Sequence, residues 1–198
     1  MGMLQRLYDN ILRLAASRHA LTSLFLLAFG ESFIIPIPPD VLLAPLVLAT
    51  PQRAWRIAAI GAIGSILGGL VGYYIGFALQ PTAHWILAIT GHAGAEPPIQ
   101  AAYARWGFGV VLLGAAPLVP FPIITLSSGL ARFSLWQFAV GITLARTVRF
   151  FVVTALIKRF GPGVVLIVKK RLLLFGLVVV VAAAVALAAV QWLRHGLG

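Results

Sequence analysis

Long apolar stretches occupy most of this chain, and their length predicts helices rather than strands. Residues 54–79, 134–160 and 172–193 each reach the roughly 20 residues that an apolar helix needs to cross a bilayer. Residues 3–20 carry apolar and polar side chains on opposite faces, which predicts an amphipathic helix on the membrane surface. Tryptophan and tyrosine, which favour the headgroup region, recur in residues 81–108 and predict interfacial helices there.

Prolines interrupt two further apolar stretches, residues 21–50 and residues 109–131. Proline lacks a backbone N–H and disfavours helix in the residue before it, so neither stretch can form one continuous helix. Because the arms on either side of each break are too short to span a bilayer, we predict two re-entrant hairpins. The prolines that break them are Pro36, Pro38 and Pro39 in the first hairpin and Pro120 and Pro122 in the second.

The same order of segments occurs twice along the chain: an interfacial helix, a broken hairpin and a spanning helix. Gly30 and Pro36 recur as Gly114 and Pro120, at a constant offset of 84 residues. One crossing helix separates the two hairpins, so they enter from opposite faces, as in the inverted repeats of many transporters. The sequence therefore predicts a single all-α integral membrane domain over residues 1–198, an inverted repeat followed by a C-terminal transmembrane helix.

Composition and charge agree with a membrane protein and indicate its orientation. Hydrophobic residues make up 61% of the chain, charged residues 10%, and the formal net charge is +11. On the predicted topology, ten of the 15 lysines and arginines lie on one side and three on the other. Since basic residues are enriched on the cytoplasmic side, we predict a cytoplasmic N-terminus and an outer C-terminus. In so apolar a chain the basic excess indicates membrane flanks and anionic lipid, and we predict no nucleic-acid partner.

Enzyme chemistry finds little support in this sequence. The chain has no cysteine, which excludes thiolate metal sites and cysteine nucleophiles, and only four aspartates and glutamates. The histidines lie far apart, and the chain has neither a nucleotide phosphate loop nor a zinc-protease motif. We therefore predict no enzyme activity, no metal and no cofactor.

Four charged residues fall inside the apolar segments and are the candidate functional residues. Glu31 and Asp40 flank the tip of the first hairpin, and Arg146 and Arg149 lie in the middle of a spanning helix. Each such charge costs about 2.5 to 3.5 kcal/mol in a bilayer, so we expect the four to cluster. Two neighbouring arginines match phosphate oxygens and predict a lipid-headgroup site, while the two acids are candidates for proton coupling, Glu31 first. The alternative is that the ion pairs only hold the hairpin in place.

Glycines recur every three or four residues along one face of residues 54–79, where they allow a close approach of another helix. Close packing and a substrate groove along that face are both compatible with this spacing. The face could pack within the chain or between two chains, so a homodimer is among the arrangements considered. The glycines are Gly61, Gly64, Gly68, Gly72 and Gly76.

With these features the chain resembles the DedA family, also called SNARE-associated or VTT-domain membrane proteins. The resemblance implies a bacterial inner-membrane, multi-pass protein that moves undecaprenyl phosphate or phospholipids between leaflets, with proton coupling. It also implies that Glu31 and Asp40 match the family's essential membrane-embedded acids. The better-studied branch has arginines in its second hairpin, whereas this chain has them one helix later. The resemblance is carried by residues 30–40, residues 72–76, Pro120 to Pro122, Ser128-Gly129, Arg146 and Arg149-Phe150.

We therefore expect flippase-like or scramblase-like translocation of an anionic, phosphate-bearing lipid, in which Arg146 and Arg149 bind the headgroup. One alternative is a proton-coupled exporter or antiporter of a small solute, which the same inverted-repeat architecture would serve. Another alternative is a membrane assembly protein that transports nothing and whose buried charges are structural.

Overall fold

The computed structural model describes residues 19–34, 37–94, 96–114 and 120–161, and over these ranges all of its regular secondary structure is helical. The predicted all-α fold is confirmed for these residues. The predicted segment 172–193, and nearly all of the predicted segment 3–20, lie outside the described residues. The helices are α1 (Ala20–Glu31), α2 (Asp40–Ala49), α3 (Ala54–Ala78), α4 (Gln80–Ile89), α5 (Glu96–Trp106), α6 (Phe108–Gly114), α7 (Phe121–Leu130) and α8 (Leu135–Phe160). A turn of 3-10 helix at Pro51–Arg53 joins α2 to α3.

Two of these helices, α3 and α8, are long and apolar enough to cross a membrane. Each reaches a mean hydropathy of 1.7, over Pro51–Ala78 and Leu135–Phe160 respectively. They pack against each other in opposite directions, since Gly61 lies against Phe150 and Gly69 lies against Ile142. The described part of the chain therefore contains two candidate membrane spans, which form an antiparallel pair.

Helix α3 is the centre of the fold, because α1, α7 and α8 all pack against it. Its glycine face lies against the backbone of α1, with Gly64 beside the carbonyl oxygen of Phe25 and Gly68 beside that of Phe29. These contacts advance in the same direction on both helices, so α1 and α3 run parallel. Without a Cβ, glycine lets two helix backbones approach more closely than any other residue allows.

Helix α7 covers the rest of the glycine face. Gly72 lies against Thr125, Gly76 lies against the carbonyl oxygen of Leu126, and Gly129 of α7 faces the carbonyl oxygen of Tyr73. With Gly61 against Phe150, all five predicted glycines of α3 meet helices of their own chain. The sequence was compatible with a groove or a dimer contact at this glycine face. In the structure the face packs against α1, α7 and α8 of the same chain.

The described prolines act mainly as helix starts. Pro39 is the N-cap of α2, and Pro120 and Pro122 flank the first residue of α7, where a missing N–H costs no helical hydrogen bond. Pro38 precedes α2 in the same turn, while Pro36 lies outside the described residues. The resulting helices α1, α2, α6 and α7 have 12, 10, 7 and 10 residues, each shorter than a bilayer span. The re-entrant paths and the inverted repeat stay predictions.

Candidate functional site

The buried face of α8 carries an arginine among apolar side chains. Arg146 is 1% exposed and shares a stripe of four-residue spacing with Ile142, Phe150 and Thr154, all of which are buried. Residues at this spacing lie one above another on one face of a helix, and that face meets the core. Arg146 is therefore held in the core by helix geometry, and its charge must be compensated there.

Glu31, the last residue of α1, supplies one compensating charge. Its Oε2 accepts a hydrogen bond from Nη1 of Arg146 at 3.4 Å. The side chains of Arg146 and Glu31 are 2% and 14% exposed, so little solvent reaches this pair. In such surroundings the attraction is weakly screened, and losing either partner would leave a buried charge without compensation.

Asp40, the first residue of α2, forms a second pair one turn further along α8. Nη2 of Arg149 donates a hydrogen bond to its Oδ2 at 2.8 Å, and the side chains are 18% and 34% exposed. Both acids come from the ends of the break between α1 and α2, and both arginines come from a single turn of α8. The structure thus brings the four predicted charges together as two neighbouring ion pairs of different accessibility.

The second proline-broken segment also reaches Arg146. The guanidinium carbon of Arg146 lies 3.2 Å from the ring centroid of Phe121, the first residue of α7. A cation over an aromatic face is attracted by the ring, more strongly when water is excluded. Nε of Arg146 has no hydrogen-bond partner within the described part of the chain. The guanidinium therefore lies between Glu31 and Phe121 with donor capacity left over.

A polar bridge beside this site was not predicted from the sequence. The hydroxyl of Ser32 lies 2.9 Å from the carbonyl oxygens of Ala28 and Ser65, and the hydroxyl of Thr125 donates to the carbonyl oxygen of Ser32 at 2.8 Å. All three hydroxyl-bearing residues are fully buried. The bridge joins the residue after Glu31 to α3 and α7, so it links the two proline-broken segments.

Three polar residues in the sequence weakly indicated this bridge, whereas nothing in the sequence indicated the contact of Phe121 with Arg146. Ser65 interrupts a face of glycines, and Ser32 and Thr125 are polar residues in apolar surroundings, where hydroxyls need partners. Phe121 is one of 12 phenylalanines, and nothing in its sequence neighbourhood distinguishes it from a core residue. Within the described residues, no cluster of three or more histidines, cysteines or acids could hold a metal ion.

Comparison with known proteins gives one family match and two relatives. The model of the VTT domain matches residues 37–159, which include Asp40, Arg146 and Arg149. An uncharacterized protein of Haemophilus influenzae is 30% identical over 150 residues, which cover 76% of this chain and 78% of the relative. An uncharacterized protein of Histophilus somni is 27% identical over 155 residues, with the same coverage of 76% and 78%. No solved structure matches this chain.

Proposed function

The chain belongs to the VTT-domain family, known as the DedA family, which is linked to membrane transport or lipid handling, and we propose that it translocates an anionic, phosphate-bearing lipid across the bilayer. The observation that carries this proposal is the pair of arginines, Arg146 and Arg149, held on one turn of an apolar helix opposite two acids. Ionisable groups inside membrane segments commonly mark substrate pathways or proton relays.

The arginine pair suits a phosphate headgroup better than a neutral solute. A guanidinium presents several donors in a planar fork that matches phosphate oxygens, and two of them on one turn can share one phosphate. In the described structure, carboxylate oxygens of Glu31 and Asp40 occupy part of this donor set. A phosphate would take their place, so lipid binding and ion-pair opening are alternative states of the same arginines.

The two ion pairs would open in a fixed order. Asp40 is the more exposed acid, at 34% against 14% for Glu31, so an arriving phosphate meets Arg149 first. Arg146 becomes accessible only when its contact with Glu31 is released. A proton taken up by Glu31 would weaken that contact, and this is the step at which we place proton coupling.

The packing of the helices supports alternating access, in which one half of an inverted-repeat transporter moves against the other. Helix α2 of the first half contacts α8 of the second half, while α7 of the second half packs on α3 of the first. We propose that the two proline-broken segments are re-entrant and open alternately around Arg146. The location that goes with this mechanism is a multi-pass protein of the bacterial inner membrane with its N-terminus in the cytoplasm.

The proposed movement makes and breaks no covalent bond, so we propose a transporter rather than an enzyme. The test uses vesicles that contain the purified protein and undecaprenyl phosphate, with a soluble phosphatase added outside. Without translocation the enzyme cleaves only outer-leaflet lipid, whereas translocation exposes the inner pool and adds a second phase of cleavage.

We expect the second phase in wild-type vesicles and its loss in Arg146→Gln and Arg149→Gln. Arg56→Gln, which removes an exposed arginine of α3, is the matched control and should keep the second phase. Equal rates in all four proteins would contradict the role proposed for Arg146 and Arg149. A second phase that is absent from correctly folded wild-type protein would contradict lipid translocation itself.

A further inference from the structure

Arg132, in the turn between α7 and α8, stands where helices usually place glycine. Its φ is +51°, and no other non-glycine residue in the described part of the chain has a positive φ. The turn closes with N–H of Arg132 bonded to the carbonyl of Gly129 at 2.9 Å and N–H of Phe133 bonded to that of Ser128 at 3.0 Å. This is a Schellman motif with arginine at its left-handed position, where a Cβ is unfavourable.

The end of α4 provides an internal comparison. There the N–H of Gly91 bonds to the carbonyl of Ala88 and the N–H of His92 bonds to that of Leu87, which is the same pair of bonds. The left-handed position of that turn is Gly91, with a φ of +77°. The chain thus has glycine at the left-handed position of one motif and arginine at that of the other, where arginine offers no backbone advantage over glycine.

Arg132 lines an open groove of about 650 Å³. The other polar residues along it are Gln100, Ser134 and Gln137, and the remaining lining residues are Tyr103, Leu130, Ala131 and Phe133. The guanidinium of Arg132 also lies 5.4 Å from the ring centroid of Phe77, a distance at which the ring attracts the cation. The groove therefore places a guanidinium beside amide and hydroxyl groups, which are donors that a phosphate anion can accept hydrogen bonds from.

The groove lies at the level of the membrane surface if α8 spans the bilayer. Leu135, at the start of α8, is 11 residues from Arg146, or about 17 Å along the helix axis. That is close to half of the roughly 30 Å hydrocarbon thickness. Leu135 and Trp136 beside the groove are 54% and 77% exposed, and a tryptophan at this level is typical of contact with lipid.

We propose that this groove is a second anion site, which holds the phosphate of a lipid headgroup at one membrane surface. The inference rests on the proposed function, since it gives the translocated lipid a docking place outside the central arginine pair. The exposed apolar side chains of Leu135 and Trp136 beside the groove favour a lipid headgroup over free phosphate. The strained backbone at Arg132 is then the cost of placing a guanidinium in the groove.

The test compares stability with lipid binding in the purified full-length protein. Arg132→Gly and Arg132→Asn relieve the strain and remove the charge, since both residues tolerate a positive φ. We expect the Tm to stay the same or rise in both variants. Their affinity for dioctanoyl phosphatidic acid should fall at least about tenfold, because a charge-assisted hydrogen bond is lost. Arg132→Lys, which keeps the charge, should recover part of that affinity.

Controls separate this inference from its alternatives. Arg105→Gln removes an arginine that does not line the groove and should leave affinity for phosphatidic acid unchanged. Inorganic phosphate alone tests the other source of the anion. If inorganic phosphate raised the Tm as much as phosphatidic acid does, a lipid site would be overturned. Unchanged affinity in Arg132→Gly, or a clearly lower Tm with unchanged affinity, would overturn the anion site. The same titration in Arg146→Gln, where translocation fails, should still show the groove binding lipid.

Discussion

Replacing Glu31 by glutamine should destabilise the protein far more than replacing Asp40 by asparagine, although the Asp40 pair is the shorter one. Distance alone gives the opposite order, since the pairs measure 3.4 Å for Glu31 and 2.8 Å for Asp40. Burial reverses this order of stability. The side chains of Arg146 and Glu31 are 2% and 14% exposed, whereas those of Arg149 and Asp40 are 18% and 34% exposed. Solvent screens the second pair and hardly reaches the first.

The magnitudes follow from the same comparison. At an effective dielectric constant of about 20, two unit charges 3.4 Å apart attract each other by roughly 5 kcal/mol. Removing one partner of a buried pair costs about 3 to 5 kcal/mol, and we expect Glu31→Gln near the lower end because the amide oxygen can still accept a hydrogen bond. For Asp40→Asn we expect about 1 kcal/mol, because solvent reaches this partly buried pair and screens it.

The assay is reversible unfolding of the purified protein in mixed micelles, followed by circular dichroism. The combination Glu31→Gln with Arg146→Met removes the isolated charge and should recover most of the stability lost in Glu31→Gln. Equal losses in Glu31→Gln and Asp40→Asn would refute the argument from burial. A double variant less stable than both single variants would refute the idea that the cost comes from an uncompensated Arg146.

Three other changes test separate parts of the fold. Gly68→Ala should destabilise by about 1 to 3 kcal/mol, since its Cβ would meet the backbone of Phe29. Gly61→Ala should cost less, because its Cβ would meet the side chain of Phe150, which can shift further than a helix backbone; thermal unfolding of both variants checks this order. Thr125→Val should cost about 1 to 2 kcal/mol, because the carbonyl of Ser32 loses a buried donor. Thr50→Val, which removes a partly buried hydrogen bond to Leu46 at the end of α2, should cost less in the same assay. Burial raises the pKa of Tyr103 from 10.0 to about 12, so the folded state holds the phenol proton more tightly than the unfolded state does. Stability should therefore fall as the pH rises from 10 to 12. Measurements of Tm against pH should show a smaller loss in Tyr103→Phe.

The long helices were the most predictable part of the fold. Residues 54–79 and 134–160 were predicted as spans, and the observed helices are Ala54–Ala78 and Leu135–Phe160. An uninterrupted apolar run has few other ways to satisfy its backbone in a membrane, so length and composition nearly determine the element. Prolines likewise predicted where the shorter segments break, because a missing N–H acts locally.

The partners within the site were less predictable. The cost of a buried charge indicated that two acids and two arginines would cluster, but which acid meets which arginine depends on how α1 and α2 pack on α3 and α8. Arg146 meets Glu31 because α1 and α8 both pack on α3, which brings the end of α1 to the buried face of α8. Phe121 beneath the guanidinium and the bridge from Ser32 to Thr125 arise from contacts 25 or more residues apart in sequence, which no local pattern encodes.

The most direct test of lipid translocation is the cleavage of undecaprenyl phosphate by external phosphatase in vesicles with wild-type protein. The same vesicles are prepared without protein and with the double variant Glu31→Gln with Arg146→Met. We predict that wild-type protein gives access to the inner-leaflet lipid and that the folded double variant does not. Folded wild-type protein that leaves the inner-leaflet lipid protected, or a double variant as active as wild type, would contradict translocation through the buried arginine pair.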